Sequence, residues 1–241
     1  MTPQRNGETP SELADWRDRT RVFLQPIAAP SILGLFGFAL STFMVSAQLD
    51  GWYGTPRSGM FLFPFAVAAG GLAQFAAAMW GYRARDGLAT AVHGIWGSFW
   101  IGYGILNLLA ATGDLTLPTA KFPELGFWFF MLAAFTIAAF FAAFAESLGL
   151  VAVLGPLAVG AAFLGVGFYT GVHGWVLAGC WVLIAAAIAA FYSGTALMLE
   201  NAYGRTILPL GKYTTAANVP GRVVTRRLEY AAGEPGVRQG Q

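Results

Sequence analysis

Residues 70–100 read GGLAQFAAAMWGYRARDGLATAVHGIWGSFW, two apolar arms joined by Tyr82-Arg83-Ala84-Arg85-Asp86-Gly87. A hairpin of water-soluble helices keeps a polar face along each arm. These arms have none, and their charges sit at the tip. Lipid imposes that arrangement, because a helix in hydrocarbon must satisfy its own backbone and show no unpaired charge. Gln74, His93 and Ser98 stand out within the arms, followed by Tyr103 and Asn107. The stretch is a transmembrane hairpin, and the rest of the chain has to fold with it.

Composition agrees. Of 241 residues 56% are apolar and 11% charged, the latter under half the usual share of about 25%. Six apolar segments, at 28–49, 60–81, 87–111, 126–145, 147–170 and 175–199, are each long enough to cross about 30 Å of hydrocarbon. The expectation is an all-α integral membrane protein, a six-transmembrane-helix bundle over residues 28–200. The fourth and fifth segments are divided at Glu146-Ser147. Residues 1–27 form a tail in which Thr9-Pro10-Ser11-Glu12 has the form of a capping box. Leu13, Trp16, Phe23 and Leu24 follow on roughly one face, as in a short amphipathic helix on the membrane surface. Glu8, Glu12, Asp15 and Asp18 break the pattern of a signal peptide. Residues 201–241 end in a polar tail expected to be disordered. The single cysteine, Cys180, allows no intrachain disulfide, and a net charge of +2 speaks against a nucleic-acid partner.

Orientation follows the basic residues. Twelve of the fourteen lie before the first segment, between the second and third, or after the sixth, and only Arg57 and Lys121 lie on the other side. Both termini are expected in the cytoplasm, with the protein multi-pass in the plasma membrane.

His93, Trp96, Trp100, Tyr103 and Asn107 repeat at three and four residues. They form one stripe of the third helix, beside small residues at Gly94, Gly97 and Gly104. Such a stripe faces the bundle interior or a pore, or packs large rings into a glycine groove. Gln74, a buried amide, must find partners: it ties helices together or bonds a substrate, with Ser41, Thr42 and Ser98 as further donors. Pro156 is expected to kink the fifth helix.

Three stretches carry a resemblance. Pro30-Ser31-Ile32-Leu33-Gly34-Leu35 opens the first helix, Gly70-Gly71-Leu72-Ala73-Gln74 and Gly94-Ile95-Trp96-Gly97-Ser98-Phe99-Trp100 flank the hairpin, and Tyr203-Gly204-Arg205-Thr206-Ile207-Leu208-Pro209-Leu210-Gly211 follows the sixth. In order and at this spacing they resemble the acetate uptake transporter family, the succinate–acetate permeases. The resemblance implies a channel-like carrier for acetate or a similar short monocarboxylate, without cofactor and not an enzyme. It also implies a homo-oligomer, a hexamer with a pore in each subunit. A ring of three bulky apolar side chains narrows the family's path, and motif counting carries it onto Phe38, Trp96 and Leu157. At about 1.5 Å per residue, all three fall near mid-bilayer. Two departures stand: tryptophan replaces the more usual tyrosine at 96, and the asparagine expected before Pro30 is absent.

Other readings are ammonia or ammonium transport, a non-transporting scaffold, and a haem or quinone protein using His93 and His173. The last requires the histidines to meet, but one lies near the cytoplasmic face and the other in an outer turn. His93 is also a candidate proton carrier.

Overall fold

The computed structural model describes residues 27–55 and 57–212. Six helices are long and apolar enough to span a membrane: α1 Ser31–Leu49, α2 Ser58–Ala84, α3 Gly87–Thr112, α4 Pro123–Ala143, α5 Leu148–Thr170 and α6 His173–Tyr203. The expected amphipathic helix and the C-terminal tail lie outside the described residues.

Helix ends fall where local chemistry puts them. Asp86 caps α3, its carboxylate accepting from Ala89 N at 2.8 Å, and Ser147 caps α5 by accepting from Leu150 N at 3.3 Å. Each satisfies a backbone donor that the first turn leaves open. Pro123 starts α4 at a position where its missing N–H costs nothing. Left-handed glycines close α3 and α5, Gly113 at φ 84° and Gly171 at φ 76°. Glu146-Ser147 does separate α4 from α5.

One feature of α2 has no signature in its residues. Residues Ala66–Ala73 wind as a π-helix between two α-helical stretches, two residues after Pro64. Proline removes an N–H and crowds the preceding turn, which favours such a widening. By contrast α5 continues through Pro156 to Thr170.

The helices pack in chain order, α2 on α1 and α3, and α5 on α4 and α6, while α1 against α6 joins the two halves. Between α3 and α4 contact is sparse. Small residues let backbones close up in lipid, where no hydrophobic drive brings helices together. A Cβ on Gly37 would strike the Ala69 carbonyl, and one on Gly97 would lie 2.9 Å from Phe75 N.

Past α6, Gly204 turns the chain at φ 62° and residues 206–212 fold back over the start of α5. Leu148 N donates to Gly211 O at 3.2 Å and Gly149 N to Leu210 O at 2.8 Å. Tyr192 Oη donates to Pro209 O, and Lys212 pairs with Glu200 at 2.8 Å. The conserved-looking tail motif is thus a strap that satisfies helix-end donors. Arg83, Arg85, Arg205 and Lys212 all lie toward this basic end of the bundle.

Candidate functional site

The stripe on α3 turns inward as spacing requires. His93, Trp96 and Trp100 are 4%, 2% and 4% exposed. Two narrow cavities lie along it. The first, about 30 Å³, opens from the basic end among Ser31, Leu35, Gln74, His93, Glu146 and Leu150, and reaches Phe38, Trp96 and Leu157. The second, about 40 Å³, continues past Thr42, Ser46, Trp100 and Tyr103 to Phe129 and Phe168. Each has room for about two or three waters. Trp96 is the one side chain that lines both.

Phe38, Trp96 and Leu157 therefore come from α1, α3 and α5 to one level. The Phe38 and Trp96 rings meet edge to face at 6.2 Å between centroids, and Leu157 is 1% exposed. Phe99 packs on the other side of Trp96 at 5.6 Å. Trp96 thus stands between the two cavities.

Below Trp96, Gln74 spends its amide on the protein. Its Nε2 donates to Gly70 O, one turn back, at 2.8 Å, and its Oε1 faces His93 Nδ1 at 3.4 Å. The carbonyl end of the amide can only accept, so this contact is a hydrogen bond in the tautomer that carries its proton on Nδ1. The His93 ring lies against Gly34, where a Cβ would overlap it. Ser41 is buried between α1 and the π-helix, beside Gly70 and Trp100, and lines an outer groove with Leu40 and Phe65 rather than either cavity.

Above Trp96, Thr42 Oγ1 and Trp100 Nε1 line the second cavity and have no hydrogen-bond partner in the protein. Buried donors rarely stay unpaired. Both are neutral and can donate into the cavity.

Several expected residues stand elsewhere. Ser98 is exposed, donates to Gly94 O at 2.7 Å and lines a groove on the outer side of the α2–α3 hairpin. Its position is two residues off the stripe, which turns it away from the interior. Asn107 donates to Tyr103 O and approaches Gly59, outside both cavities. Pro30 precedes α1, and Gly204 and Arg205 belong to the strap. His93 and His173 sit at opposite ends of the bundle. Among the described residues no three His, Cys, Asp or Glu side chains group as metal ligands.

Two residues at the site went unread. Glu146 lines the mouth of the first cavity, just outside the helices that span the membrane. Burial on its inner side, then the charge of Asp86, push its carboxyl up to about 7. Thr136 is buried on α4 and accepts from Trp96 Nε1 at 3.2 Å. A lone hydroxyl in an otherwise apolar span was the signal for it.

Six spanning helices around two cavities in line, walled by aromatics and lined by neutral donors, make this a membrane transport protein. The chain belongs to the GPR1/FUN34/yaaH family, whose profile matches residues 18–211. It is 27% identical to the succinate-acetate/proton symporter SatP of Escherichia coli K12, over 77% of this chain and 96% of that one. An uncharacterized protein of Methanothermobacter thermautotrophicus is 28% identical over 82% of this chain and 98% of its own. The solved structure of the bacterial acetate channel SatP superposes with a TM-score of 0.71 at 25% identity, covering 77% of this chain and all of that one.

Proposed function

We propose that the chain carries acetate and comparable short monocarboxylates across the plasma membrane, along the two cavities and past a neck of Phe38, Trp96 and Leu157. The observation that supports this most is that Trp96 alone is shared by both cavities, so whatever passes must pass it. Chemistry supports the substrate class. The unpartnered Thr42 hydroxyl and Trp100 indole N–H can both donate to an anionic oxygen. Among the described residues no lysine or arginine lines either cavity to hold a carboxylate fast, and conduction needs binding weak enough for release. The SatP relatives move acetate, which fits a path of this bore.

The basic end is placed in the cytoplasm on the bias of basic residues. The path lies within one chain, so in a homohexamer, the assembly the family resemblance implies, each subunit would conduct by itself. Light scattering in detergent would give the mass of six chains, and the mass of a single chain would remove the assembly from the account.

Purified protein in liposomes is expected to take up labelled acetate and propionate, with succinate and lactate slower and methylammonium at the level of empty vesicles. Methylammonium flux without acetate flux would overturn the substrate class.

A further inference from the structure

Thr136 sits midway along α4 and is fully buried. Its hydroxyl proton is committed, because Oγ1 donates to Leu132 O one turn back at 2.6 Å. The remaining lone pairs take the Trp96 indole N–H at 3.2 Å. Thr195 makes the same turn-back bond on an exposed face; at Thr136 the hydroxyl also serves a second helix. That bond crosses from α3 to α4, a sparse seam of the bundle.

Ring packing alone does not fix the indole. Phe38 and Phe99 meet Trp96 at tilts of 70° and 76°, and edge-to-face contacts tolerate sliding. A hydrogen bond is directional and weakens steeply off axis, so it selects one setting of the ring. The stripe supplies its own contrast. One turn on, Trp100 Nε1 has no acceptor, while the N–H of Trp96 is latched to the other half of the molecule.

We propose that Thr136 is the positioning residue of the neck: its hydroxyl latches the Trp96 indole in the setting that separates the two cavities, and so sets which carboxylates fit. The assignment rests on Trp96 forming the neck. The latch leaves the indole N–H unavailable to substrate, so Trp96 discriminates by bulk and the donors at Thr42 and Trp100 by polarity.

The test uses full-length protein labelled with 5-fluorotryptophan, the Trp96 resonance being identified by its loss in Trp96→Phe. Thr136→Val keeps the shape and removes the acceptor, and Thr136→Ser restores it. In Thr136→Val the Trp96 resonance should shift or broaden, and lactate uptake relative to acetate should rise roughly two- to tenfold, the worth of one ordinary hydrogen bond. Thr136→Ser should match the parent in both. In a Trp96→Phe background Thr136→Val should change the ratio no further, since the shared bond is already gone. An unmoved Trp96 resonance in Thr136→Val, or the same change of ratio with phenylalanine at 96, would overturn the latch. Should Thr136→Val fail to fold, Thr136→Ala carries the same expectations. The resonance is read without substrate, so a protein that moves no acetate would sink the transport reading while the latch was still judged.

Discussion

Glu146 stands where water meets the inner cavity, with solvent on one side and Leu88 and Leu150 on the other. Three charged or titratable groups bear on it: Asp86, which raises its pKa further, His93 across the same cavity, and Lys212, held by Glu200 beside Ser147. A carboxyl raised to about 7 is neutral below that pH and charged above it. Its contribution to stability is present at low pH and lost as pH rises through about 7. Transport should follow the same sign, since the charged form repels an arriving carboxylate. If the basic end faces the cytoplasm as proposed, uptake should fall as internal pH rises from 6 to 8 at fixed external pH, and Glu146→Gln should flatten that limb. A dependence on external pH alone would contradict both the role and the orientation. Residues on the α3 stripe were legible because helical period and polarity agree there. Thr136 was not, because a single hydroxyl in an apolar span carries no period. Ser98 was misread for the opposite reason: polarity was counted and phase was not.

At the scale of elements, the spans were legible within a few residues because lipid forbids alternatives and the caps are chemically explicit. The π-helix of Ala66–Ala73 was not, since an i+5 ladder differs from an i+4 ladder in backbone and hardly in composition. It nonetheless places Gly70 against Ser41 and Trp100, and Gln74 against His93. The contact of α1 with α3 turns on Gly34. A methyl there overlaps the His93 ring, and overpacking of this kind costs about 1–3 kcal/mol. Gly34→Ala should lower the thermal midpoint in detergent, and Gly34→Ala with His93→Ala should recover part of the loss. An unchanged midpoint in Gly34→Ala would mean that the ring moves aside freely and that the Gln74–His93 contact does not order the mouth.

For the whole molecule, α1, α3 and α5 run in the same direction from the basic end and supply Phe38, Trp96 and Leu157, while α2 adds Gln74 to the first cavity and α4 and α6 add Phe129 and Leu183 to the second. The strap of residues 206–212 ties the start of α5, the helix that carries Leu157, to the end of α6. This division follows from packing and could not be read from six spans of nearly uniform composition. It also concentrates the account on Trp96, where the three walls meet. The most direct measurement is the lactate-to-acetate uptake ratio of Trp96→Ala in liposomes, normalised to folded protein and set beside Trp100→Ala. If bulk at 96 sets the size limit, the ratio should rise on the order of tenfold, the discrimination a close-fitting site makes for one small group. Acetate flux should be kept or raised, and Trp100→Ala should shift the ratio far less. A well-folded Trp96→Ala protein with an unchanged ratio would contradict the account and take Trp96 out of the path.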